Sequence, residues 1–85
     1  MLGMPVAIGP QLKVSELIAR AMRQGCIVRF AKFRLVTPSG VTIPIRFLYN
    51  AANNGRFDLT DYDNDDSVGE SEIENAERRL KIKLV

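Results

Sequence analysis

Val41-Thr42-Ile43-Pro44-Ile45-Arg46-Phe47-Leu48-Tyr49-Asn50 is the stretch that decides the fold. Val41, Ile43, Ile45, Phe47 and Tyr49 alternate with Thr42, Pro44, Arg46, Leu48 and Asn50. A period of two marks a strand with one buried face. Upstream, Ile27, Ala31, Phe33 and Leu35 share a face, with Arg29 intruding among them; downstream, Phe57 and Leu59 repeat the signal. Pro38-Ser39-Gly40 and Asn53-Asn54-Gly55 separate the three runs. Each suits a three-residue hairpin loop with glycine last, where the backbone turns left-handed. Closing both loops that way sets Leu35 opposite Ile43, Phe33 opposite Ile45, Ala31 opposite Phe47 and Tyr49 opposite Leu59. The odd-numbered apolar side chains then share one face, whereas a two-residue loop splits the set. The expectation is a three-stranded antiparallel meander over 26–60 with its odd face inward. Pro44 gives the ladder no hydrogen bond and needs a free strand edge. The short third strand ends before reaching it, which supplies that edge.

Helical spacing flanks the meander. Leu17, Ile18, Ala21 and Met22 line one side of a helix expected over 14–25, opposite Arg20, Arg23 and Gln24. Ser15 is its expected cap, Glu16 suits its first turn, and Gly25 ends it. After an acidic loop over 61–70, Ser71 and Glu74 have the spacing of a capping box and open a helix over 71–80. Its apolar stripe is Ile73, Ala76 and Leu80. Residues 1–13 read as an irregular leader, and 81–85 as a short strand or extended tail. The order helix, meander, helix makes a single α+β domain, with the helices over the odd face of the sheet.

The 85 residues suffice for one small core. One cysteine, Cys26, excludes an internal disulfide framework and fits a reducing compartment, so a cytoplasmic location is expected. The absence of histidine removes the commonest general base and the commonest transition-metal ligand. No phosphate loop or dinucleotide fingerprint is present, so neither an enzyme nor a cofactor is expected. No apolar run reaches the length of a membrane span.

The net charge of +2 hides a segregation. Up to residue 57 the chain carries Lys13, Arg20, Arg23, Arg29, Lys32, Arg34, Arg46 and Arg56 against Glu16 alone. Asp58, Asp61, Asp63, Asp65, Asp66, Glu70, Glu72, Glu74 and Glu77 follow without a cation, and Arg78, Arg79, Lys81 and Lys83 close the chain.

Three functional readings follow. In the register above, Lys32 stands opposite Arg46, with Arg34 two residues along and Phe30 opposite Leu48. Like charges directly opposed across strands are unfavourable unless an anion relieves them. The leading expectation is a non-enzymatic module that docks a protein partner through Lys32, Arg34, Arg46 and Phe30 on one side and the acidic segment 61–77 on the other, with charge setting encounter and orientation. Opposite charge blocks also suit pairing between copies, a homo-oligomer. The second reading puts nucleic-acid phosphate on the same cations, with Phe30 as an aromatic surface. The third rests on Asp61 to Glu72, which resembles an EF-hand calcium loop. That resemblance implies side-chain oxygens from Asp61, Asp63 and Asp65, a carbonyl from Ser67 and a bidentate carboxylate from Glu72. Asp66 stands where the family places glycine.

Overall fold

The structure, a computed structural model, describes residue 9 and residues 11–85, with side chains described for all of these except residues 32–35. In chain order the elements are β1 (Leu12–Lys13), α1 (Val14–Arg23), β2 (Ile27–Val36), β3 (Thr42–Asn50), β4 (Gly55–Asp58), β5 (Ser67–Val68) and α2 (Glu70–Leu80). The α+β architecture matches the expectation: an antiparallel sheet ordered β2-β3-β4 lies under two helices, and β1 pairs with β5 in a small ribbon. The leader expected to be irregular over 1–13 therefore ends in a strand. Its remainder lies almost wholly outside the described residues.

Helix α1 buries Val14, Leu17 and Ala21 at helical spacing. It begins two residues earlier than a Ser15 cap requires. Lys13 holds the N-cap position in extended backbone with no side-chain cap. The first amides are satisfied by the acidic loop instead: Val14 N–H donates to the Asp66 carbonyl (2.8 Å) and Ser15 N–H to the Asn64 carbonyl (3.0 Å). Gly25, at φ +96°, ends the helix as expected.

The first hairpin closes as expected at its tip. Leu35 pairs with Ile43, Val36 with Thr42, and Gly40 takes φ +85°. Toward the molecule's centre the register shifts between Phe30 and Arg34, so that Arg29, not Ala31, faces Phe47 and Phe30, not Lys32, faces Arg46. Residues 31–33 of β2 thus oppose Ile45 alone, a bulge that carries the strand onto a new register.

The second hairpin corrects the expectation more deeply. Asn50 pairs with Gly55, Tyr49 with Arg56, Leu48 with Phe57 and Phe47 with Asp58. Four residues, 51–54, form the loop, and Asn54 rather than Gly55 is left-handed (φ 53°). Gly55 serves another end: a Cβ there would stand 2.6 Å from the Arg79 carbonyl oxygen, so only glycine lets α2 lie this close. One extra loop residue inverts the faces. Leu48, Asn50 and Phe57 are buried, while Phe47 and Tyr49 of the supposed core face are only half-buried. Pro44 sits where β3 extends beyond the end of β4, on the free edge it requires.

The core joins Leu48 and Phe57 of the sheet to Leu17 and Ala21 of α1, Ile73, Ala76 and Leu80 of α2, Val68 of β5, and Leu59 and Leu84 from outside the elements. Burying each large aliphatic side chain contributes about 1.5–3 kcal/mol. Asn50 is the buried polar residue (4% exposed) among those described, and its amide donates to the Leu80 carbonyl (2.8 Å), satisfying the end of α2. The capping box expected at Ser71 and Glu74 lies two residues earlier: the Glu72 carboxylate accepts the Gly69 N–H (3.3 Å). Residues 81–85 form no strand. Lys81 turns left-handed (φ 59°) and Leu84 folds back into the core, its N–H donating to Glu77 Oε2 (2.7 Å).

Candidate functional site

With Leu48 and Phe57 facing the helices, the opposite face of the sheet presents Arg29 from β2, Phe47 and Tyr49 from β3, and Arg56 and Asp58 from β4. Arg29 stands directly across from Phe47, and Arg56 across from Tyr49. Each arginine reaches diagonally to the other ring. The Arg56 guanidinium lies 3.9 Å from the Phe47 ring centroid, and that of Arg29 lies 5.7 Å from the Tyr49 centroid. Such cation–π contacts are worth about 0.5–1 kcal/mol at exposed positions. They hold two cations over rings that the sheet would otherwise leave bare.

These groups line an open groove of about 510 Å³ together with Phe30 and Asn54. The Tyr49 hydroxyl donates to Asn54 Oδ1 (3.3 Å), which ties the groove floor to the left-handed turn. Phe30 is 63% exposed at its rim. Among the described residues the one ion pair is Arg20 with Glu16, at 3.9 Å, so neither groove arginine has a carboxylate within salt-bridge range. Asp58 shares the face, but its Oδ1 accepts both the N–H (3.1 Å) and the hydroxyl (2.7 Å) of Thr60.

The residues expected to act together are dispersed. Arg46 lies on the helix side of the sheet, and its guanidinium donates to the Tyr62 carbonyl (2.9 Å). The acidic segment therefore meets one expected cation by backbone contact. Lys32 falls within the bulge and Arg34 pairs with Pro44 beyond it; their side chains lie outside those described. Phe30 alone of the expected set borders the groove. Arg29, Arg56, Phe47 and Tyr49 were missed by sequence reasoning, although Arg29 in an apolar face and Leu48 in a polar one both signalled that the faces were exchanged.

The calcium-loop residues do not converge either. Among the described residues no three His, Cys, Asp or Glu side chains are grouped to hold a metal ion. Asp66 is not left-handed; its Oδ2 accepts the Asp63 N–H (2.9 Å) in a local turn. Ser67 belongs to β5, and both oxygens of Glu72 are engaged, one by Gly69 N–H and the other by the Tyr62 hydroxyl (2.8 Å). Burial, this hydrogen bond and the charges of Glu72 and Asp61 push the Tyr62 phenol up to about 12. Burial likewise raises the thiol of Cys26, a small core side chain.

No protein-family model matches the chain, and neither a curated protein nor a solved structure matches it.

Proposed function

We propose that this chain is a small binding module, without catalytic chemistry of its own, that holds unpaired nucleic acid against the outer face of its sheet. One observation carries the reading: two guanidinium groups lie over two aromatic rings on an open face. A guanidinium seated on a ring keeps its N–H edge for phosphate oxygens and shows its outer plane to a base. Tyr49, loosely covered at 5.7 Å, offers further stacking surface, and the exposed Phe30 borders the groove. Bases stack on such platforms without sequence preference, because every base has a π-face. An acidic protein would be drawn by the same cations, but it would leave the rings unused. The combination favours the partner that brings phosphate and an aromatic plane together.

The test is fluorescence anisotropy with a labelled oligothymidylate of about sixteen nucleotides, long enough for a single small fold. Binding is expected to weaken steeply between 50 and 200 mM salt, as phosphate contacts dictate. Tyr49→Ala is expected to weaken it about ten-fold, the loss of one stacked base, while Tyr49→Phe stays near the parent. Arg56→Ala is expected to lower both the affinity and the salt slope. Affinity indifferent to both alanine variants would overturn the proposal, as would the absence of binding at low salt.

A further inference from the structure

The two helices run the same way. The first amides of α1 bond the loop just ahead of β5 and α2, and its last turn meets the residues just beyond α2: Arg20 Nη1 donates to the Leu84 carbonyl (2.8 Å), and the Gln24 side-chain amide to that of Lys83. Both C-termini therefore lie at one end of the molecule. The β3–β4 turn lies there too, since the Lys81 ammonium donates to the Asn53 carbonyl (3.0 Å) and the Asn50 amide to Leu80. The acidic loop and the acidic first turn of α2 lie at the other end. Charge thus separates along the helix axes, and the acids do not neutralise the cations.

Two helix C-termini each carry about half a negative charge, which cations close by offset. Part of the basic set is held for that or for local contacts. Arg20 is tied to Leu84 and to Glu16, and Arg78 and Arg79 both turn back to Asn75 Oδ1 (2.6 and 3.4 Å). The one acid in that last turn, Glu77, is taken up by the N–H groups of Leu84 and Val85. What remains is Arg23 and Lys83, both exposed, and Lys81, exposed and with two ammonium protons beyond the one given to Asn53. The Gln24 bond sets Lys83 beside the end of α1, and the Asn53 bond sets Lys81 one residue from Asn54 on the groove wall.

Resting on the nucleic-acid reading above, we infer that Arg23, Lys81 and Lys83 form a phosphate track that carries the same strand from the groove, around the β3–β4 turn, onto the joined ends of the helices. The groove takes stacked bases; the track takes only backbone. A strand too short to round the turn gains nothing from it.

Two labelled oligothymidylates test this, one of about four nucleotides and one of about sixteen. The variant Arg23→Ala/Lys81→Asn/Lys83→Ala removes the three charges, and asparagine suits the left-handed backbone at position 81. Arg23→Ala/Lys83→Ala repeats the measurement if the triple variant melts early. The short strand is expected to bind parent and variant within two-fold, and the long one to lose about 2 from its salt slope in the triple variant. An unchanged slope with the long strand overturns the track while leaving the groove in place, provided Tyr49→Ala still weakens the short one. Equal weakening of both strands overturns it too, since the charges then act as a general field. Failure of the parent to bind either strand removes groove and track together. Salt-sensitive association of the chain that the triple variant abolishes, with the long-strand slope unmoved, would mean that this end seats the acidic end of a second copy, and the track falls.

Discussion

Tyr62 is the residue at which two halves of the molecule meet. Its ring packs beside Phe57 at a centroid distance of 6.1 Å, its carbonyl accepts the Arg46 guanidinium, and its hydroxyl donates to Glu72. The phenolate is disfavoured here by burial first and then by Glu72, whose carboxylate would face it as a like charge at hydrogen-bond distance. The folded protein therefore holds the phenol proton more tightly than the unfolded chain, where tyrosine titrates near 10. The stability this brings is complete below pH 10 and is lost as pH rises from about 10 to about 12. Denaturant melts across that window are expected to fall more steeply for the parent than for Tyr62→Phe, which has no proton to release. Parallel profiles would show that the two states hold the proton equally. Asn50 and Gly55 are decided at the same scale: one supplies the hydrogen bond that the Leu80 carbonyl lacks, and the other leaves room for the backbone carrying it.

At the scale of elements, α2 shows how closely a sequence reading can approach and still miss. Ser71 and Glu74 have the spacing of a capping box, but so do Gly69 and Glu72, and packing chooses between them. Starting at Glu70 puts Ile73, Ala76 and Leu80 on the core and gives Glu72 two partners, Gly69 and Tyr62. Glu72→Ala is expected to cost about 1–2 kcal/mol, a lost cap, and Ser71→Ala under about 0.5 kcal/mol. Thermal melts distinguish them; equal losses would restore Ser71 as the cap. The sheet erred for a related reason. The helices, the three meander strands, the hairpin tip and Pro44 are local matters, written in period, glycine and proline, and these were legible; β1 and β5, expected as leader and acidic loop, were not. Which face is inward depends on the length of the second loop, and there an Asn-Asn-Gly signal fits three residues or four. The packing of Gly55 on α2, a contact between residues far apart in sequence, settles it. Since the outer groove exists only because the faces are exchanged, its four residues were hidden by the same ambiguity.

At the scale of the molecule, stability is unevenly distributed. The packed core draws on Leu48 and Phe57 of the sheet, with Val28 against them, and on no residue from 31 to 44 among those described. There the β2–β3 hairpin extends past the end of β4, with the bulge at its base, Pro44 withholding one amide, and Val36 and Val41 open to solvent at 70% and 56%. The inner half of the same hairpin, Ile27–Phe30 against Arg46–Tyr49, is covered by helices on one face and flanked by β4. Exchange of an amide requires opening of the structure that protects it, and few buried contacts mean a small opening free energy. Native-state hydrogen exchange is therefore expected to divide at the bulge. Amides of Arg29, Leu48 and Phe57, which point into the ladder, should exchange only with global unfolding and track the denaturant melt. Those of Thr37 and Ile43, bonded only within the distal hairpin, should exchange through a local opening, faster by orders of magnitude and with little denaturant dependence. Uniform protection along β2 would mean that the distal hairpin is covered in solution, and a concentration series would show whether the cover is a second copy of the chain.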